Sequence, residues 1–541
     1  MVKIELFNIL EEGVKMAKSI DYTSRDGAKH KPFFVSMSGK ETEDFSFEYR
    51  NGGLIKKIND LNPVLVRIEI RLGDKKEGGS FSSNTSELPR DMNKTSCMKE
   101  LNHQINNTFW ESYENLKDRM KAAEGFLDTR DLFVYFADEK PIRYVAQEKR
   151  LPLDLINETS ENIKKISLES LRRKIYNIYS IFDFNKTRNY IVNSEGTRVF
   201  TESKNYRMGF TVEIINQKGI IIPISYSIAK SSLAKIPNYN ILKELCEKCI
   251  EDAFAIKDAP AIPNGLYPTI LDPENTGVIF HEAIGHALEG DSLQGDAESY
   301  EEEREKSTIF EDKIGEIVMP KHLSVYDDPT RVDLSGYYFI DDEGTKAKKV
   351  ILVEKGKLKG YLNSRQSAGY LKQHSNGHAR ADKNNTPKPR MSNLFIESTN
   401  KYSIEELEER VKQYCVENKK PFGLIMERAS QGLALPEDAY FSTHPVHVFK
   451  IFPNNKKRER VSHMYIVGTP YKLLQSIAAA SNRLGTFEGY CGSVSGWVTS
   501  AEIAPDIFIP ELELNKIPKS SYEKLRIQVT RAPERYFKTK K

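Results

Sequence analysis

The stretch His281-Glu282-Ala283-Ile284-Gly285-His286 places two imidazoles around one carboxylate, a set of groups that can hold a zinc ion and activate water beside it. In the familiar zinc-protease pattern the two histidines are four positions apart, so on a helix of 3.6 residues per turn they project about 40° from one another. Here they are five positions apart, which on a regular helix separates them by roughly 140°. Both then reach one metal only if the helix is widened locally, as in a π-type bulge, and Gly285 makes such a distortion easier. The six residues alone fit an ordinary helix as well as a metal site, because a chain with ten histidines can produce the pattern by accident.

The neighbouring sequence places the motif on a helix. Tyr267-Pro-Thr-Ile-Leu271 reads as a short apolar strand, and Asp272-Pro273-Glu274 opens a helix with proline in its first turn. Ala287-Leu288-Glu289-Gly290-Asp291 ends it at a glycine. A catalytic zinc needs a third protein ligand and one open position. Cys491 is the best candidate for that ligand. It lies in Gly485-Thr-Phe-Glu-Gly-Tyr-Cys-Gly-Ser-Val-Ser-Gly-Trp497, read as a loop whose glycines let the backbone approach a site and whose thiol a metal would hold as thiolate. The alternative is a buried structural cysteine, the common fate of an isolated one.

These residues resemble a known family. His281 to Asp291, Tyr326-Asp-Asp-Pro-Thr330, Asp341-Asp-Glu-Gly-Thr345, Gly360-Tyr-Leu-Asn-Ser-Arg365, Pro389-Arg-Met-Ser-Asn393 and Gly489-Tyr-Cys-Gly492 follow one another as in the TldD/PmbA metallopeptidases. The resemblance runs through most of residues 260 to 515, extends more weakly to Ile191-Val-Asn-Ser-Glu-Gly-Thr-Arg198, and is faint before about residue 110. It implies that His281, His286 and Cys491 bind Zn2+ and that Glu282 is the catalytic glutamate. Many members continue after the cysteine with Gly-Lys-x-Gly-Gln, whereas this chain has Gly492-Ser-Val-Ser-Gly-Trp497. A sister subunit in the family lacks the zinc motif; this chain keeps every motif position and so resembles the active type. Gln373-His-Ser-Asn-Gly-His-Ala-Arg-Ala381 corresponds to a family segment with Asn-Gly and a following arginine. On that basis His378, Arg380 and Arg390 are candidates for holding a substrate carboxylate or carbonyl, with surface salt-bridging as the alternative.

The implied chemistry follows from charge. Zinc between two neutral imidazoles and one thiolate keeps a net positive charge, acidifies a water and stabilises an oxyanion, while Glu282 takes the proton and returns it to the leaving amine. Two functions remain open. The first is a zinc peptidase acting, by resemblance, on short or unfolded peptides as a homodimer or as a heterodimer with a related subunit. The second is a non-catalytic subunit or scaffold that keeps a structural metal site.

Composition fits a large enzyme. The chain has 541 residues, 29% of them charged, with a net charge of +3; this argues for neither nucleic acid nor a membrane surface. No apolar run is long enough to span a bilayer. The N-terminal segment fits an amphipathic helix instead of a secretory signal. Five scattered cysteines point to a reducing cytoplasm. Cys246-Glu-Lys-Cys249 reads as a structural pair, and His444 and His447 as projecting to opposite faces of an extended segment.

The expected fold class is α+β. An N-terminal α/β region (1–110) and a middle region of helices plus antiparallel strands (111–260) precede a C-terminal metallopeptidase domain (261–541), rich in antiparallel strands, that carries the zinc helix. Strands are expected at Lys31 to Ser38 and Pro63 to Leu72, a loop at Gly78 to Ser86, and helices at Phe109 to Glu124, 160–182 and Tyr239 to Ile256. Antiparallel strands should run from Asn189 to Ile228 with a turn at Asn193 to Gly196. Lys349 to Leu362 and Phe449 to Val461 read as hairpins, the basic cluster Lys456 to Arg460 being the wet tip of the second. Thr469 to Asn482 reads as a helix leading into the Cys491 loop. Asp258 to Gly265, rich in proline, is the main boundary. Glu301-Glu-Glu-Arg-Glu305 reads as a solvated acidic run.

Overall fold

The computed structural model describes residues 2–124, 132–217, 219–231, 236–293, 308–383, 385–435, 440–462 and 464–516. The acidic run Glu301 to Glu305 lies outside them. The chain is an α+β protein built on two large sheets.

The first sheet has eight strands. Its main path is Ile221–Lys230, Arg198–Ile215, Asn177–Asn193, Phe34–Arg50, Leu65–Asp74 and Gly78–Glu87, antiparallel throughout. Residue 110 falls within the helix Lys94–Ala123, and the sheet takes strands from both sides of it. Two helix pairs cover one face. Val2–Lys18 and Lys94–Ala123 bury Leu6, Leu10, Leu101 and Ile105 against Val66, Ile68 and Ile70. Leu153–Ser170 and Tyr239–Ile256 bury Ile156, Ile163, Leu242 and Ile250 against Phe182, Tyr206 and Phe210. The helix Tyr239–Ile256 has the expected bounds, and Asn238 caps it by accepting from the Ile241 amide.

Gly78 to Ser86 is a strand and not a loop. Its poor strand propensity is overridden by pairing with Leu65–Asp74 and by the helix above it, where the Ser80 hydroxyl donates to the Ser112 carbonyl and Asn115 to that of Phe81. The helical pattern from 160 to 182 resolves into the helix Leu153–Ser170 followed by the strand Asn177–Asn193. The strand Leu65–Asp74 alternates as expected, yet its polar face is covered too: Arg67, Glu69 and Arg71 are all buried. Glu69 accepts from Arg67 Nη1 and from Arg71 Nε, both at 2.7 Å. Burial pushes the Glu69 carboxyl up, but the two guanidiniums outweigh it and hold it at about 2. Because its folded value lies below its unfolded one, Glu69 stabilises the fold fully above the ordinary carboxylate range and loses that contribution as pH falls toward 2. Glu69→Gln, which removes the carboxylate shared by two buried arginines, is expected to cost about 3–5 kcal/mol at neutral pH. Its denaturation midpoint should also fall less than the wild type's between pH 5 and 2, and equal midpoints at neutral pH would refute this.

The second sheet has eleven strands. Within it Gly265–Leu271, Gly423–Leu435, Tyr440–Ile451, Met464–Gly468 and Gly496–Lys516 pair in a closed ring. From the last of these, Asn393–Ser398, Leu323–Asp327 and Val350–Glu354 extend outward. The helix Pro273–Phe280 shares a core with the ring: Ile279 and Phe280 pack in one cluster with Met426, Phe441, Ile466 and Ile507. Thr469 to Asn482 is helical only over Pro470–Gln475. From Ala479 the chain becomes a strand, since Ala479 and Ala480 pair with Phe508 and Ile507.

Candidate metal centre

The strand Gly265–Leu271 delivers the chain to Asp272, which caps the next helix by accepting from the Asn275 amide, with Pro273 in its first turn. That helix is regular to Phe280 and then widens: His281–Gly285 is a π-helical turn, and the His286 amide bonds back to the His281 carbonyl. The extra residue between the histidines is thus taken up by the wider turn, as their spacing predicted. The two rings stand 4.9 Å apart at 84°. Gly285 also makes room for a neighbouring side chain. Its backbone is ordinarily helical (φ −59°, ψ −57°), and a Cβ there would lie 1.9 Å from Met391 Sδ. Glycine permits that close approach of the methionine.

Cys491 comes from strand Ala479–Ser493, not from a loop. This strand forms a long hairpin with Gly496–Lys516 in which Cys491 faces Val498 and Phe487 faces Glu502. Side chains alternate along a strand, so residues 498, 500 and 502 share the face of Cys491, and one hairpin brings both the thiol and Glu502 to the histidines. His281 Nε2 lies 3.2 Å and His286 Nε2 3.4 Å from Cys491 Sγ; the three possible ligand atoms lie within 4.8 Å of one another. Their Nδ1 atoms face carboxylates, His281 toward Glu502 Oε1 at 2.7 Å and His286 toward Glu289 Oε2 at 3.1 Å. Each Nδ1–H donates to its carboxylate, which orients the ring with Nε2 toward the sulfur, the atom a metal would take once its proton is displaced.

This donor set fits zinc. With Zn–N of about 2.0–2.1 Å and Zn–S of about 2.3 Å at tetrahedral angles, an N···S separation of roughly 3.5 Å is required, close to both values here. The charges agree. Burial alone raises the Cys491 thiol, but the His286 and His281 imidazoles overcome it and hold the group well below its usual value. Burial lowers both histidines, yet Cys491 and the facing carboxylates raise them, His286 to about 10. The arrangement therefore favours an anionic sulfur between two cationic imidazoles, and a divalent ion held there would take the place of the two Nε2 protons.

Glu282 projects from the π-turn beside these groups. Among the described residues none hydrogen-bonds its carboxylate, and burial raises its pKa. Space for it depends on Gly432, where a Cβ would meet Glu282 Oε1 at 2.4 Å.

The other predicted positions are built into the scaffold. His378 is fully buried, with Nε2 3.1 Å from Asp327 Oδ1 and Nδ1 3.0 Å from Asn376 Oδ1. Arg380 donates to the Met391 and Thr499 carbonyls and lies over the Tyr338 ring. Arg390 donates to Cys491, Ser495 and Gly496. Only Arg390 reaches the cluster. His447 bonds to Tyr226 and Arg460, whereas His444 stacks on Tyr465, so the two face apart. Lys456, Lys457 and Arg458 are exposed at the hairpin tip as expected, Arg458 pairing with Glu408 and Glu427, while Arg460 is half-buried beside Asp252. Cys246 and Cys249 are buried free thiols packed in a helix. Glu289 and Glu502 escaped the sequence reading. Glu289 could have been found three places after His286, on the same side of a helical turn; nothing local marks Glu502.

A closed strand ring that buries a helix ending in a His-Glu-His π-turn, capped by a hairpin cysteine, defines a candidate metallohydrolase domain. Residues 264–516 match the family model described as the PmbA/TldA metallopeptidase C-terminal domain. Over those residues the chain is similar to the TldD/PmbA family. It is 33% identical over 241 residues to a metalloprotease of Methanocaldococcus jannaschii, covering 44% of this chain and 49% of that one. It is 29% identical over 255 residues to a zinc metalloprotease TldD homolog of Saccharolobus solfataricus, covering 46% and 52%. The chain therefore spans about half the length of these two curated relatives. In fold it is similar to the crystal structure of TldE from Thermococcus kodakarensis, with a TM-score of 0.64 at 15% identity over 95% of this chain and 100% of that one.

Proposed function

We propose that this chain is a zinc-dependent peptidase. His281, His286 and Cys491 hold the ion, and Glu282 is the general base that hydrolyses peptide bonds of short or unfolded peptides. Bound there, zinc supplies a Lewis acid that acidifies water and polarises a carbonyl. Everything else falls to the chain's own residues. Glu289 and Glu502 hold the two imidazoles in the tautomer that presents Nε2. Glu282, its carboxylate raised by burial and bonded to no described donor, accepts the proton from the attacking water and delivers it to the leaving amine. Gly432 keeps the space in which that carboxylate moves.

The observation that carries this reading is the convergence of both Nε2 atoms on one buried cysteine sulfur, beside a carboxylate that no described residue hydrogen-bonds. A structural site would use a fourth protein ligand, and among the described residues the cluster holds three. The relatives' names, metalloprotease and zinc metalloprotease, support the same reading. Among the described residues no helix is long and apolar enough to cross a membrane; with five free thiols we place the protein in the cytoplasm, acting on peptides as a homodimer or beside a related subunit.

The test is digestion of a peptide library by the purified chain before and after chelation, with light scattering on the same sample to fix its mass. Cleavage should stop on chelation and return with zinc; cleavage indifferent to the chelator would overturn the proposal. Glu502→Gln, which weakens the hold on His281, should reduce zinc affinity about 10–100-fold in a chelator competition, and an unchanged affinity would remove it from this role.

A further inference from the structure

The guanidinium of Arg390 is fully buried, a costly location for a permanent charge unless anions and hydrogen-bond acceptors surround it. Its contacts are specific. Nη2 donates to the Cys491 carbonyl at 2.8 Å and to Cys491 Sγ at 3.0 Å. Nη1 donates to Ser495 Oγ at 2.9 Å and to the Gly496 carbonyl at 3.0 Å, in the turn that closes the cysteine hairpin. Nε lies 3.6 Å from Glu289 Oε1, without a hydrogen bond. Glu289 is the residue that faces His286 Nδ1. His286, Glu289, Arg390 and Cys491 therefore form a closed circuit of contacts, completed by the 3.4 Å approach of Cys491 Sγ to His286 Nε2. With the guanidinium fork anchored by two backbone carbonyls and a hydroxyl, the N–H aimed at sulfur has a fixed direction whatever else the site contains.

We propose that Arg390 is a positioning residue for Cys491, holding its sulfur in line with the two imidazoles and drawing electron density from it through an N–H···S hydrogen bond. The proposal rests on the metal-site reading above. It replaces the role of substrate ligand expected for Arg390, because the guanidinium is enclosed and its Nη donors are engaged with the cysteine hairpin. It also explains the run Pro389 to Asn393 as one bracket: Arg390 grips the cysteine, Met391 packs against Gly285 of the π-turn, and Ser392 bonds to Asp327.

A thiolate relieved of electron density gives up an electron less readily, so its charge-transfer band to a bound transition metal lies at higher energy. The test loads cobalt(II) into the metal-free full-length chain of wild type, Arg390→Gln and Arg390→Lys, and records that band together with cobalt affinity by competition. Wild type should show a thiolate-to-cobalt band. Arg390→Gln should show it at lower energy with affinity reduced about 10–100-fold, and Arg390→Lys, which keeps the charge but loses the planar fork, should fall between them. Variants with the wild-type band and affinities within twofold would overturn the proposal. If Arg390→Gln does not fold, Arg390→Lys decides alone, an unshifted band overturning it. A wild-type protein that binds cobalt without any thiolate band would instead overturn the metal-site reading itself.

Discussion

Glu282→Gln should leave the protein folded and zinc-loaded while lowering peptide hydrolysis about 10²–10⁴-fold, the usual contribution of a positioned general base. The amide is nearly the same size, so the space left by Gly432 still accommodates it, and the metal-binding atoms of His281, His286 and Cys491 are untouched. What is lost is the ability to take a proton from water. The comparison that matters is kcat against zinc content in the same preparation. Full turnover by the glutamine variant would remove Glu282 as base; loss of zinc along with activity would mean that its carboxylate belongs to the metal shell.

Cys491→Ala should act on binding. Structural zinc sites with four ligands are stabilised by about 10–16 kcal/mol, so one ligand represents roughly 3 kcal/mol, and removing the thiolate should weaken zinc affinity by about 100-fold or more. The variant also leaves Arg390 buried without its sulfur acceptor, so some loss of thermal stability should accompany the loss of metal. Elemental analysis after dialysis against a weak chelator reads the first effect. Full zinc occupancy in the alanine variant would exclude Cys491 from the site.

How much of this was legible beforehand depends on how local each signal is. The strand, cap, proline and helix around Asp272 could be read because each depends on neighbouring residues. The π-turn could be read because the spacing of His281 and His286 allows no other way to bring both rings together on one helix. Cys491 was recognisable as a candidate by residue type, but its strand was not: the glycine-rich sequence from 485 to 496 has weak strand propensity, and only the 21-residue partner Gly496–Lys516 holds it extended. Gly78 to Ser86 reads as a loop for the same reason. Arg380, Arg390 and His378 read as candidates for holding a substrate carboxylate or carbonyl, yet burial and hydrogen-bond satisfaction decide whether such groups face a substrate or the protein, and neither can be read from order along the chain. Glu502 was invisible because its meaning comes from the alternation of a hairpin face 221 residues from His281.

Whether His281, His286 and Cys491 share one metal is decided by zinc-edge X-ray absorption on the purified protein. The expected nearest neighbours of the zinc are two imidazole nitrogens at about 2.0–2.1 Å, one sulfur at about 2.3 Å and one further light atom, the sulfur scatterer disappearing in Cys491→Ala. A shell of nitrogen and oxygen alone in the wild-type protein, or a sulfur signal that survives the Cys491 substitution, would contradict it.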